Sequence, residues 1–232
     1  MIRKRSWLWV AVLGCAACAG CSQKKREALP MAFGLMGRPV TLAVAPAHDL
    51  TGTGHLDVLA LTDLFASELS QVPQISVVPV NQVLAVMYGQ GWRHLASPEQ
   101  VLQLARLLNA DGVVVLAVSE YDPYDPPRLG LITEVYVLPP RETMRLAGEE
   151  VGRAAAPVAS RPSVPTAPTR QMQRVFEAAR KSEQELIRKY AALRDPPGKH
   201  DWQEYLRSQK QFLRYCSWRT AMEICGAEVE GG

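Results

Sequence analysis

Apolar and polar positions follow two different periods between residues 39 and 138. Continuous runs of β-branched and aliphatic residues predict four strands, at 40–46, 75–80, 113–121 and 128–138. Apolar residues at helical spacing predict three helices, at 57–72, 81–88 and 97–108. Because the two kinds of element are interleaved, we predict an α/β (α+β) domain over 40–150, with helices packed on a small mixed sheet. Pro79 indicates that the second strand lies near an edge of the sheet or ends there.

The composition changes after Gly148. Residues 151–169 are rich in proline and alanine, which is typical of a linker without enough apolar surface to pack. Beyond this linker, 170–194 and 201–225 both have the spacing of long amphipathic helices, and the DPPGKH segment between them cannot continue a helix. The sequence therefore predicts a C-terminal helical hairpin over 170–226.

Aromatic residues are concentrated in the predicted hairpin, beyond what one seam between two helices needs. Trp and Tyr are enriched at binding hot spots, so we predict that the hairpin binds a partner. The candidate partner-binding side chains are Phe176, Tyr190, Trp202, Tyr205, Phe212 and Trp218. The alternative is that the hairpin folds back onto the sheet and completes its core.

The amino terminus has the pattern of a processed leader. Three basic residues are followed by an apolar run over 7–20, which is too short to span a bilayer as a helix. This arrangement is typical of a secretory signal peptide, so residues 1–20 are predicted to be removed. Small residues precede Cys21 as in a bacterial lipobox, which predicts lipidation of Cys21 and a tether over 21–39. A plain secretory signal or an uncleaved anchor is the alternative.

Net charge excludes one class of partner. The chain carries 26 basic and 23 acidic side chains, and three of the basic ones lie in the predicted leader, so the mature chain is neutral. A neutral chain has no net electrostatic attraction for phosphates, and no nucleic-acid partner is predicted. Cys216 and Cys225 are too few for a disulfide scaffold. Nine positions along one helix also hold them too far apart to bridge.

Candidate chemistry lies in the loop after the first strand, which contains His48, Asp49, His55 and Asp57. Imidazoles and carboxylates can bind a divalent metal, and ligands favour the carboxyl ends of strands in open α/β sheets. The spacing matches no tight ligand motif, and Asp57 is also explained as the start of a helix. His48 and His55 are therefore weak metal candidates. No GxSxG, GxxxxGK[ST] or HExxH motif occurs, so no catalytic residue, cofactor or enzymatic activity is predicted.

Two stretches resemble a known group of envelope domains. These are TLAVAPAHDLTGTGHLDVLALTDLFASELSQVPQISVVPVNQVLAVM (41–87) and LARLLNADGVVVLAVSEYD (104–122). They are similar to the domain shared by curli-secretion (CsgG-like) lipoproteins, penicillin-binding-protein activators and the TolB amino-terminal domain. The resemblance implies a non-catalytic envelope protein that binds other proteins. A curli-type pore is disfavoured because the chain has no pair of long amphipathic strands for the membrane.

The sequence therefore predicts a lipid-anchored, non-catalytic interaction module of the bacterial envelope. It would assist an assembly for cell-wall synthesis, secretion or transport, with the membrane and another envelope protein as its partners. By resemblance to enteric lipoproteins, Ser22 indicates an anchor in the outer membrane, facing the periplasm. The alternative is an envelope protein that binds a small ligand or metal with loop 48–57.

Overall fold

Six strands form one mixed sheet within the part of the chain that the structure describes. The computed structural model describes residues 38–139, 167–194 and 201–226. The strands are β1 (Val40–Val44), β2 (His48–Asp49), β3 (Ile75–Val78), β4 (Gly112–Asp122), β5 (Arg128–Val137) and β6 (Arg170–Glu177). The helices are α1 (Val58–Leu69), α2 (Val80–Gly89), α3 (Pro98–Leu107), α4 (Lys181–Arg194), α5 (Glu204–Arg207) and α6 (Gln209–Ile224). The predicted α+β class, with helices packed on a mixed sheet, is confirmed.

The order of the strands gives the sheet two distinct ends. The order is β3-β1-β4-β5-β6, with β2 beside β4 as well. β1 runs parallel to β3 and β4, because helices connect these strands, whereas β4, β5 and β6 are antiparallel neighbours. The carboxyl ends of β1 and β3 and the turn from β4 to β5 share one end, which we call the loop end. Arg38, the last residues of β5 and the first of β6 share the other, which we call the tether end.

Local signals fix where α1 and α3 begin. Asp57 caps α1, since its Oδ1 accepts hydrogen bonds from the backbone N–H groups of Leu59 (3.1 Å) and Ala60 (2.9 Å). Ser97 caps α3, and Pro98 is its first residue, where the fixed backbone angle of proline suits a helix start. Pro79 follows β3 directly, and β3 lies at the edge of the sheet. The strand therefore ends directly before Pro79 and also lies at the edge of the sheet, the two positions that the sequence predicts for a strand with this proline.

The period-two pattern of the strands separates two apolar layers. Val114 and Leu116 of β4 face a layer that contains residues of α1, α4 and α6. Val113, on the opposite face, lies in a second layer with residues of α2 and α3. The central strands are thus covered on both faces, which explains why they read as continuous apolar runs.

The helix predicted over 170–194 is wrong in its first third. Residues 170–177 form β6, which pairs with β5 in the register Arg128↔Glu177 to Val135↔Arg170. The stripe through Met172 and Phe176 fits both a helix and a strand, because positions four apart share a face in either. Hydrogen bonding to β5 decides in favour of the strand. The second predicted helix is also divided at Ser208, whose hydroxyl caps α6.

The aromatic residues predicted to bind a partner are core residues, and that prediction needs correction. Phe176, Tyr190, Tyr205, Phe212 and Trp218 are all buried in the layer that α1 and the sheet share. Trp202 is half-buried, with the Arg188 guanidinium carbon 4.5 Å from its ring centroid. The physical reason is that the C-terminal helices cover one face of the sheet and need large side chains to fill that layer. This corresponds to the alternative stated above, in which the hairpin folds back onto the sheet.

A buried carboxylate ties these C-terminal helices to α1. Glu68 of α1 is only 2% exposed. Its carboxylate accepts a hydrogen bond from Arg194 of α4 and another from Nε of Arg214 in α6, at 2.9 Å. Three helices therefore meet at one charged group, and the two arginines compensate the cost of burying it.

We expect the free energy of unfolding to fall as the pH rises above about 9. Burial raises the pKa of the Cys225 thiol from 9.0 to about 12, and it raises that of Tyr136 from 10.0 to about 12, helped by Glu134. Burial also raises the pKa of Tyr190 and Tyr215. Each of these groups contributes stability that is fully present below its pKa in the unfolded chain. This contribution is lost as the pH rises through the raised pKa of the folded state. Urea unfolding at pH 7, 9, 10 and 11 measures this, and a constant midpoint would contradict it.

Several predicted features lie outside the described residues. These are the leader 1–20, Cys21 and almost all of the tether 21–39, together with most of the linker 151–169. Cys216 and Cys225 are both buried free thiols. Among the residues that are described, no helix has the length and apolar character needed to cross a bilayer.

Candidate functional site

An open groove lies at the loop end of the sheet, and we call it the loop groove. Its volume is about 300 Å³. It is lined by Pro46, Ala47, His48, Asp49, Val58, Leu59, Leu84, Met87, Tyr88, Trp92 and Arg93. These residues come from the segment after β1, from β2, from the start of α1, and from α2 with the segment that follows it. The groove therefore includes the part of the sheet where the sequence predicts candidate chemistry.

The loop between β2 and α1 is shaped by its own side chains. Oδ1 of Asp49 accepts hydrogen bonds from the backbone N–H (2.9 Å) and the hydroxyl (2.6 Å) of Thr51. These hydrogen bonds, the hydroxyl one first, lower the pKa of Asp49. Gly52 and Gly54 both have φ near +67°, a region that favours glycine. Asp57 then starts α1, so its role is structural, as the simpler interpretation of the sequence states.

The two histidines predicted as weak metal candidates are not paired with each other. The ring of His48 contacts the ring of His94 instead, edge to face, with centroids 5.3 Å apart. Residues 38–139, 167–194 and 201–226 contain no group of three or more His, Cys, Asp or Glu side chains that could hold a metal ion. The fold thus brings His48 of the groove lining into contact with His94, and the long stretch of chain between them is why the sequence did not indicate this pair.

Three exposed apolar side chains lie at the loop end of the sheet: Leu59 and Tyr88 line the groove, and Leu50 directly follows Asp49 of its lining. Leu50 is 59% exposed, Leu59 44% and Tyr88 69%. One signal was present, since Leu59 falls outside the apolar stripe that α1 turns toward the core. Large exposed apolar groups at one place on a surface are typical of a site where another molecule binds.

The loop groove and the point where the tether joins the fold lie at opposite ends of the sheet. Arg38, the first described residue, forms an ion pair with Asp111 at 2.9 Å beside the start of β1. The Asp111 carboxylate also accepts a hydrogen bond from the backbone N–H of Thr41 at 2.8 Å. The chain therefore enters the fold at the tether end and reaches the groove only after β1 has crossed the sheet.

Comparisons with known proteins give structural likenesses alone. No protein-family model and no curated protein matches the chain. Among solved structures, lipoprotein GNA1162 of Neisseria meningitidis is 15% identical over 60% of this chain and 83% of its own, with a TM-score of 0.39. Protein CT253 of Chlamydia trachomatis is 13% identical over 81% and 97%, with a TM-score of 0.39. The C-terminal domain of LpoB from Escherichia coli is 16% identical over 47% and 84%, with a TM-score of 0.36.

One of these similar structures belongs to a family that the sequence resembles. LpoB is a penicillin-binding-protein activator lipoprotein. All three likenesses have identities below 25% and TM-scores below 0.5, which is too distant to transfer a function or a site to this chain.

Proposed function

We propose that this protein is a lipid-anchored, non-catalytic interaction module of the bacterial cell envelope. It assists an envelope assembly, such as one for cell-wall synthesis, secretion or transport, by binding another protein through the loop groove. The observation that carries the proposal is an open groove lined by the exposed side chains of Leu59 and Tyr88, with exposed Leu50 next to Asp49 of the lining. Aromatic and aliphatic side chains of this kind form the energetic centres of protein interfaces.

The predicted anchor gives this groove an orientation. Lipidated Cys21 would hold the chain at the membrane, and the tether would enter the domain beside Arg38 and Asp111. The eighteen residues 22–39 span about 23 Å as a flexible coil, so the domain stays close to its membrane. Because the groove lies at the other end of the sheet, it faces away from the anchor. We place that anchor in the outer membrane, with the groove in the periplasm.

Binding of a small ligand or a metal in this groove is the competing function. Ligand pockets bury most of the surface of a small ligand, and they place a few convergent polar groups inside. The loop groove instead has its most exposed apolar residues at its rim, and the Asp49 carboxylate is bound to Thr51 within the loop. These features favour contact with a protein surface.

Replacing Cys21 with alanine is expected to abolish acylation. The apolar run of the leader is too short to remain as a span, and more than one acyl chain is needed for stable anchoring. Metabolic labelling with a palmitate analogue, followed by fractionation, measures both effects. Cys18→Ala is the matched control, because it removes a neighbouring cysteine of the leader. Undiminished label in Cys21→Ala would overturn the assignment of the anchor.

Leu59→Glu is expected to weaken partner binding by at least about tenfold. A charge at a desolvated contact removes roughly 1.4 kcal/mol or more, which is tenfold in affinity. A glutamate in the first turn of α1 is compatible with the helix dipole, so the fold is retained. The measurement is the yield of chemically crosslinked complexes in intact envelopes.

Leu107→Glu is the control, since Leu107 has the same exposure, 44%, but lies at the end of α3. If Leu59→Glu and Leu107→Glu had equal melting temperatures and lost the crosslinked complexes equally, the groove would have no special role in binding the partner.

A further inference from the structure

The loop groove has one charged side chain that the fold does not use. Arg93 lines the groove and is exposed, and within the described residues it makes no ion pair. Asp49 is the other charged residue of the lining, but Thr51 engages its carboxylate through two hydrogen bonds. The charge available to a bound molecule is therefore the guanidinium of Arg93.

The floor of the groove is apolar and small. Val58, Leu84 and Met87 contribute aliphatic surface, and Trp92 contributes an aromatic ring. A volume of about 300 Å³ lies at the lower end of the range for binding pockets, so it fits a bulky side chain rather than a large ligand. Guanidinium groups favour carboxylates, because their planar N–H donors match the two carboxylate oxygens.

We infer that the loop groove binds a segment of its partner protein in which a bulky apolar side chain stands next to a carboxylate side chain. The apolar side chain enters the floor, and the carboxylate pairs with Arg93, next to which the exposed His94 follows in the chain. This inference rests on the proposed function and names the chemistry of the partner. The chain's own tether and the segment after β5 both leave the fold at the tether end, which favours a separate protein as the occupant.

A random octapeptide library displayed on phage tests this chemistry without assuming a partner. The library is selected on the full chain in detergent and counter-selected on the Tyr88→Ala variant, which lacks part of the groove rim. We expect the enriched peptides to contain Leu, Phe or Trp adjacent to Asp or Glu. Enriched peptides that are neutral or basic, or no enrichment over the counter-selection, would overturn the inference.

The charge at Arg93 is tested with the most enriched peptide, using the fluorescence of the tryptophans, of which Trp92 lines the groove. Arg93→Glu is expected to weaken binding at least tenfold, and Arg93→Lys less, because lysine keeps the charge without the planar pair of donors. Arg106→Glu is the control, since it makes the same charge change on the exposed side of α3. Equal affinities for Arg93→Glu and Arg106→Glu would overturn the role of Arg93.

The outcomes separate this inference from the proposed function. If Leu59→Glu removes the envelope complexes while the enriched peptides lack carboxylates, the groove remains an interaction surface and only the acidic segment is wrong. If Leu59→Glu leaves the complexes intact, the proposed function itself fails. If the complexes from intact envelopes consist of two copies of this chain, the separate partner is wrong.

Discussion

A chain that ends after Gly152 is expected to be unfolded or aggregated at 25 °C. It would lack β6 and the three C-terminal helices, which supply about half of the larger apolar layer. Each large apolar side chain buried in such a layer contributes about 1.5 to 3 kcal/mol, and a whole domain is stable by only about 5 to 15 kcal/mol. The loss of side chains such as Phe176, Tyr215 and Trp218 therefore exceeds the stability available. Circular dichroism and size-exclusion chromatography measure the outcome.

A chain that ends after Gly226 is the control for this truncation, because it keeps every described element. We expect it to melt at the same temperature as the full chain. A folded, monomeric fragment that ends after Gly152, with a melting transition close to that of the full chain, would show that the C-terminal helices are an independent unit.

Glu68→Ala is expected to lower the free energy of unfolding by about 3 kcal/mol. The substitution leaves Arg194 and Arg214 without the carboxylate that neutralises them, and breaking a buried ion pair by removing one partner costs about 3 to 5 kcal/mol. The lower end applies because Arg214 is partly exposed to water. Chemical unfolding in urea measures the change, and the slope of the transition checks that the unfolded state is the same.

Glu185→Ala is the matched control, because Glu185 is an exposed glutamate of α4. It is expected to change the free energy of unfolding by less than about 0.5 kcal/mol. If the two variants were equally stable, Glu68 would not join the three helices.

A double variant with Arg194→Met and Glu68→Met should recover part of the stability lost in Glu68→Ala, since apolar groups of similar size replace the buried charges.

Most of the strands and helices between residues 40 and 138 could be predicted because each of these elements has a strong local signal. Asp57 and Ser97 are side-chain caps, and the central strands are continuous apolar runs that only a sheet covered on both faces explains. β2 could not be predicted, since two residues carry no period. β6 was mistaken for a helix, because its apolar positions fit both periods and its pairing with β5 depends on distant residues.

The buried charges illustrate why the C-terminal helices were harder to place. Glu183 interrupts the apolar stripe of α4 and is nevertheless buried, where it accepts a hydrogen bond from the Tyr215 hydroxyl. Sequence alone cannot show such a partner on another helix. The same limit applies to the groove, where His48, Tyr88 and Arg93 meet only after β1 and α2 have packed.

Photocrosslinking at two positions compares the loop groove with an exposed position on the C-terminal helices, which the sequence predicted to bind the partner. A photoreactive amino acid replaces either Tyr88, 69% exposed at the loop groove, or Leu193, 52% exposed on α4. The full chain is then irradiated in its native envelope, and the crosslinked products are identified by mass spectrometry. We predict that position 88 gives a discrete product with another envelope protein and that position 193 gives none. A product from position 193 with none from position 88 would contradict the groove as the interaction surface.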